Sequence, residues 1–99
     1  MAQNAYTVTA VFKIHPDAAE KMKQLIADVT VPSLDEDGCI FYHWSQGKDD
    51  PSCFLLYMNW RDSESFDAHV KSPHVKKAEA LLNQGLLTEP SEELHWYRL

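Results

Sequence analysis

Histidine is the side chain best suited to moving a proton near neutral pH. This 99-residue sequence has five: His15, His43, His69, His74 and His95. His74 follows Ser72-Pro73, a pair that starts a helix with Ser as N-cap and Pro at the first position. There the positive helix end disfavours imidazolium and favours a neutral ring able to act as a base. His69 lies three residues after Phe66, so it faces the core, as a second base or as an orienting group. Either ring could instead be a packed, hydrogen-bonded structural histidine. His43 stands between Tyr42 and Trp44 in a strand. A hairpin symmetric about Gly47–Ser52 sets it opposite Leu56, on one face with Phe54, Met58 and Trp60, whereas a one-residue slip reverses that face. His15 and His95 are expected at the surface or at a strand edge.

Phe12, Phe41, Phe54, Tyr57 and Trp60 could stack a planar ligand, or simply pack the core. Trp60 is the strongest stacking candidate, because it ends a strand next to the helix that carries His69. Asn59, an amide in an apolar strand, could bind a substrate oxygen or bond across an interface. The leading reading has no metal, with an ion on His43, His69 and His74 as a minor alternative. The five-residue spacing of His69 and His74 misses the i, i+4 spacing of helical zinc ligands, and no carboxylate is well placed beside His43, His69 or His74.

These groups must be held by a small set of elements. Tyr6–Ile14 alternates as a strand with Tyr6, Val8, Ala10, Phe12 and Ile14 on one face. Asp17 with Glu20 reads as a capping box. Met22, Leu25, Ile26 and Val29 then form the apolar stripe of a helix that Pro32 kinks or ends, with Gly38 suited to a left-handed C-terminal position. Cys39–Gln46 and Cys53–Trp60 read as hairpin strands, the second apolar on both faces and so central. Asp62 or Ser63 caps a short helix with Phe66, His69 and Val70 on one side. A further helix begins at Ser72-Pro73, with His74, Ala78, Leu81 and Leu82 as its stripe, and ends at Gly85. Glu93–Leu99 alternates as a last strand. The order β-α-β-β-α-β, with the second helix split, predicts an α+β, ferredoxin-like fold: an antiparallel four-stranded sheet with helices on one face.

The length matches one domain, 1–99. Hydrophobic residues make up 44%, enough for a core, yet the sheet face away from the helices is also apolar and calls for a partner. A homodimer closed sheet to sheet meets that need. Nine Lys and Arg against fifteen Asp and Glu argue against nucleic acid. No apolar run approaches the ~20 residues of a membrane span, and Met1–Tyr6 is too polar for a signal peptide, so a cytoplasmic location is expected. Cys39 and Cys53 start antiparallel partner strands, which sets them roughly 20 Å apart at ~3.3 Å per residue, so both are expected as free thiols.

The layout resembles the antibiotic-biosynthesis-monooxygenase family of small dimeric α+β barrel proteins. The matching pieces are Gly38-Cys39, the strand end Tyr57-x-x-Trp60, and Ala68-His69-x-x-x-Pro73-His74. The resemblance implies the dimeric barrel. It leaves the reaction open among cofactor-free oxygenases, haem degraders, an isomerase and members with no known activity. The haem-degrading members share Trp60, but their first-strand Asn falls on Ala10 and their His near Glu79, which removes the axial imidazole. Family members often carry Glu where Met58 stands, so the pocket here is more apolar.

Within that resemblance the leading expectation is a cofactor-independent monooxygenase using a small aromatic phenol or quinol and dioxygen. Without metal or flavin the substrate must supply the electrons, as a phenolate, beside a base and in an apolar cavity. His74 is the first candidate base and His69 the second, with Trp60, His43, Phe54, Met58 and Asn59 around the substrate. A non-oxidative isomerase on the same pocket and a non-catalytic ligand-binding or stress-associated module are the alternatives.

Overall fold

The structure is a computed structural model that describes residues 5–99. Most of the polar N-terminal stretch, residues 1–4, lies outside the described residues. The elements in chain order are β1 (Tyr6–Lys13), a 3-10 turn (Pro16–Ala18), α1 (Ala19–Leu34), β2 (Cys39–Gln46), β3 (Cys53–Trp60), α2 (Ser63–Val70), α3 (Pro73–Leu81), a wide turn (Leu82–Leu86) and β4 (Glu92–Tyr97). The four strands form one antiparallel sheet in the order β2-β3-β1-β4. This is the expected ferredoxin-like α+β arrangement, with β3 and β1 in the middle. Among the described residues no helix is long and apolar enough to cross a membrane.

Most local signals are realised. Asp62 caps α2 by accepting from the Ser65 N–H, and Ser72 caps α3 by accepting from the Val75 N–H. Gly38 and Gly85 have φ of +89° and +102°, the left-handed values that end a helix. One cap differs. Asp17 makes no capping bond, because Pro16 opens a 3-10 turn whose flanking residue is His15, and α1 starts only at Ala19. Pro32 does not stop α1, which runs through it to Leu34.

The helices cover one face of the sheet. Val8, Ala10 and Phe12 of β1 and Phe54, Leu56, Met58 and Trp60 of β3 point into that layer, against Met22, Leu25 and Val29 of α1 and Phe66 of α2. Trp60 is wholly buried. The other face carries Phe41, Leu55, Tyr57, Leu94 and Trp96, all exposed, with Trp96 at 51%. Its β4 stripe follows from register, since Thr9 pairs with Leu94 and Thr7 with Trp96. The α3 stripe is less buried than its pattern predicts: Leu82 is buried, Ala78 is half-buried and Leu81 is exposed.

The β2–β3 hairpin departs from the symmetric reading. The Gly47 N–H donates to the Cys53 carbonyl at 2.8 Å, and the Cys53 N–H to the Asp50 carbonyl at 3.0 Å. The Asp50 carboxylate accepts from Ser52 N–H and Oγ at 3.1 and 2.6 Å. Gly47 therefore belongs to the ladder and the loop is odd in length, which moves the register by one residue. Trp44 pairs with Leu56 and Tyr42 with Met58, while His43 pairs with Tyr57. His43 consequently lies on the uncovered face, stacked on Phe41 with ring centroids 5.6 Å apart. A register shift at Ile40, between Cys39 and Phe41, restores the pairing of Cys39 with Trp60. Cys39 and Cys53 stand free at opposite ends of the hairpin.

Candidate functional site

The turn after α1 is pressed against the start of α2. A Cβ on Gly38 would lie 2.2 Å from Ser65 Oγ, and the Arg61 N–H donates to the Gly38 carbonyl at 2.8 Å. Arg61 also pairs with Asp37 at 3.4 Å across this junction. The close approach brings Glu36, two residues before the glycine, to α2 and α3. Between those helices the Ser72 hydroxyl donates to the His69 carbonyl at 2.6 Å while it caps α3. One serine thus ties the end of α2, which carries His69, to the start of α3, which carries His74.

Three polar side chains converge there. Glu36 Oε2 lies 2.7 Å from His69 Nδ1 and 2.6 Å from His74 Nε2. A carboxylate only accepts, so both rings donate to it, and each neutral ring keeps its other nitrogen unprotonated. His69 is 4% exposed. It sits among Trp60, Tyr42 and Phe66, with centroid distances of 4.6, 5.6 and 6.1 Å. Burial pushes its pKa below the ordinary histidine value. The Glu36 hydrogen bond and charge pull the other way, with smaller contributions from His74 downward and Glu79 upward. Burial likewise pushes the Tyr42 hydroxyl up to about 12.

A cavity of about 170 Å³ opens beside this group. Ala10, Phe12, Leu56 and Met58 form its floor, with Tyr42, Trp44 and His69 on one side and Val75, Ala78 and Leu82 on the other. Glu79, Asn83, Ser91 and Glu93 are its polar lining. The Nε1 of Trp44 is buried and has no hydrogen-bond partner among the described residues. His69 Nδ1 is engaged by Glu36, which leaves Nε2 as the nitrogen free to take a proton. A neutral imidazole fixed by a carboxylate and exposed to an apolar cavity can accept a proton from a small organic acid.

The residues singled out from sequence separate in space. His69 and Met58 line the cavity. His74 meets the same carboxylate but lines a second depression, with Leu25, Val29 and Lys77. Phe54 and Trp60 are buried core residues outside the cavity wall, and Trp60 reaches the site by packing on His69 and Phe66. Asn59 lies on the uncovered face, where its side-chain oxygen accepts from Thr7 Oγ1. His43 lies on that face too, because of the register, and cannot share a cavity with Met58. Sequence reasoning missed Glu36, Tyr42 and Trp44. The expectation of no well-placed carboxylate is corrected by Glu36, whose only sequence signal is its place two residues before the helix-ending Gly38.

Known proteins share this fold. An uncharacterised protein of Synechocystis sp. is 29% identical over 91 residues, 92% of this chain, and this chain spans 61% of that protein's length. Rv0793 of Mycobacterium tuberculosis, named as a candidate monooxygenase, is 31% identical over 83 residues, 84% of this chain and 80% of that protein. Its solved structure superimposes with a TM-score of 0.89, covering 96% of this chain and 95% of that one. A conserved protein from Methanosarcina mazei superimposes with a TM-score of 0.92 at 26% identity, covering 98% and 95% of the two chains. The family model described as antibiotic biosynthesis monooxygenase matches residues 5–81, the span that contains β1 through α3 and all of Glu36, His69 and His74. By that match, over most of its length, the chain belongs to the antibiotic biosynthesis monooxygenase family.

Proposed function

We propose that this protein is a cofactor-independent monooxygenase of a small phenol or quinol with a single aromatic ring. The observation that carries the reading is His69: a buried ring whose Nδ1 is held 2.7 Å from Glu36 and which lines an apolar cavity of about 170 Å³. A cavity of roughly 150 Å³ holds benzene, so this one suits one ring rather than a fused polycycle. His69 Nε2 takes the phenolic proton, Glu36 keeps the ring oriented and supports its charge, and the apolar floor favours transfer of electrons from phenolate to dioxygen. For a hydroquinone the balance is one oxygen atom into the ring and one leaving as water with two substrate hydrogens. In this reading His69 replaces His74 as the base, since His74 does not line the cavity.

The working form is a homodimer. The apolar residues of the uncovered face, Phe41, Leu55, Tyr57, Leu94 and Trp96, support closure of that face by a second copy. The two free thiols support a reducing, cytoplasmic setting. The test is oxygen uptake by purified protein with a chelator, no added flavin and a panel of monocyclic hydroquinones. Turnover with product gaining one oxygen supports the reading. No uptake across the panel removes it and leaves an isomerase, which would use the same Glu36–His69 pair, or a binding module.

A further inference from the structure

We propose that Glu36, His69 and His74 form a binding site for one divalent transition ion of the Zn²⁺ class. Their ligand atoms, Glu36 Oε2, His69 Nδ1 and His74 Nε2, all lie within 4.8 Å of one another. Two neutral imidazoles and one carboxylate are a donor set that zinc takes in open sites, whereas magnesium and calcium prefer oxygen alone. Zinc bonds of about 2.0–2.2 Å put neighbouring ligand atoms roughly 3.3 Å apart in a tetrahedron. Reaching that from 2.6 and 2.7 Å needs shifts of several tenths of an ångström, and the two ring nitrogens, within 4.8 Å of each other, must draw together by up to about 1.5 Å. The supports already hold the rings: Ser72 caps α3 beside His74 and binds the His69 carbonyl, and Trp60 lies against His69. His74 and Glu36 are the less enclosed members, with side chains 20% and 15% exposed, and give the ion its way in. Water fills the fourth position.

Each ring stays neutral when the ion enters and moves its proton to the other nitrogen. For His69 this has a chemical consequence. With the ion on Nδ1 the proton sits on Nε2, so the ring becomes a donor and is no longer a base. Zinc binding would thus switch off the proposed oxygenase. That effect rests on the oxygenase reading; the binding itself does not.

The test is equilibrium dialysis of chelator-stripped protein against Zn²⁺, with Co²⁺ as the spectroscopic probe. One ion per chain is expected, and the cobalt form should show visible bands of tetrahedral type. Glu36→Gln and His74→Ala should each weaken binding at least tenfold. His95→Ala should not, although His95 and Glu93 form another histidine–carboxylate pair at 2.6 Å. Circular dichroism confirms folding of each variant, and if Glu36→Gln does not fold, His74→Ala decides. Absence of stoichiometric uptake by the parent protein, or uptake unchanged in His74→Ala, overturns the site. Zinc should also abolish any oxygen uptake, with recovery on chelation. Dialysis reads the site even in a protein without oxygenase activity, so the two proposals fail separately.

Discussion

Trp60 lies against His69 with ring centroids 4.6 Å apart and planes 39° from parallel, so the end of β3 shields one side of the imidazole from water. Burial is also the leading cause of the lowered His69 pKa. In chelator, oxygen uptake should therefore rise with pH to a plateau, with a midpoint below the ~6.5 of a free histidine. Stability follows the same sign. Between the folded pKa and about 6.5 the unfolded chain binds a proton that the folded chain refuses, so stability falls as pH drops below about 6.5. Urea titrations across pH should show this slope, and His69→Gln should flatten it. A midpoint above 6.5 would mean that another group is the base.

The Glu36–His69 pair predicts an order among variants. His69→Ala should lower kcat by about 10²–10⁴, the usual worth of a general base. Glu36→Gln should lower kcat by a smaller factor, since it keeps the shape and loses the charge that steadies the ring. His74→Ala should cost less than either, because His74 does not line the cavity. Steady-state kinetics in chelator give the order, and His74→Ala matching the loss of His69→Ala would reverse the assignment.

Trp60 is a packing residue before anything else. With no exposed surface, Trp60→Ala should cost about 3–5 kcal/mol in chemical denaturation. Trp60→Phe should cost less and retain most of the cover over His69. A Trp60→Ala protein of parent stability, with only a raised KM, would instead make the ring a substrate contact.

Gly38 is under two independent constraints. Its φ of +89° disfavours any side chain, and an added Cβ would meet Ser65 Oγ at 2.2 Å and Ser65 Cβ at 2.6 Å. Gly38→Ala should destabilise by more than about 1 kcal/mol and reduce activity by displacing Glu36. Adding Ser65→Ala should not restore stability, because the Cβ clash remains. Thermal melts of the single and double variants decide it.

The uncovered sheet face predicts the assembly. Sedimentation velocity at micromolar concentration should give a dimer, whose obligate type of interface typically buries ~2,000 Å² or more. Tyr57→Glu, on the centre of that face, should shift the protein toward monomer or aggregate. A stable monomeric parent protein would end the dimer proposal.

What could be read from the sequence was the chemistry of single positions and their near neighbours. Ser72-Pro73, Asp62, Gly38 and Gly85 do what their types dictate, since a cap or a left-handed φ is settled within a few residues. The element order, and with it the ferredoxin-like sheet, follows from alternation and helical spacing. Even locally, Pro16 displaced the Asp17 cap, because that proline opens a 3-10 turn over Pro16–Ala18 and α1 follows only from Ala19. Tertiary structure decided the rest. The face of His43 depended on how the loop after Gly47 closes, and one backbone bond to Cys53 reversed it. Glu36 lies 33 and 38 residues from His69 and His74 in the chain, and no periodicity links such positions. They meet because Gly38, lacking a side chain, lets the end of α1 press onto α2, and that packing makes two histidines and a glutamate into one site.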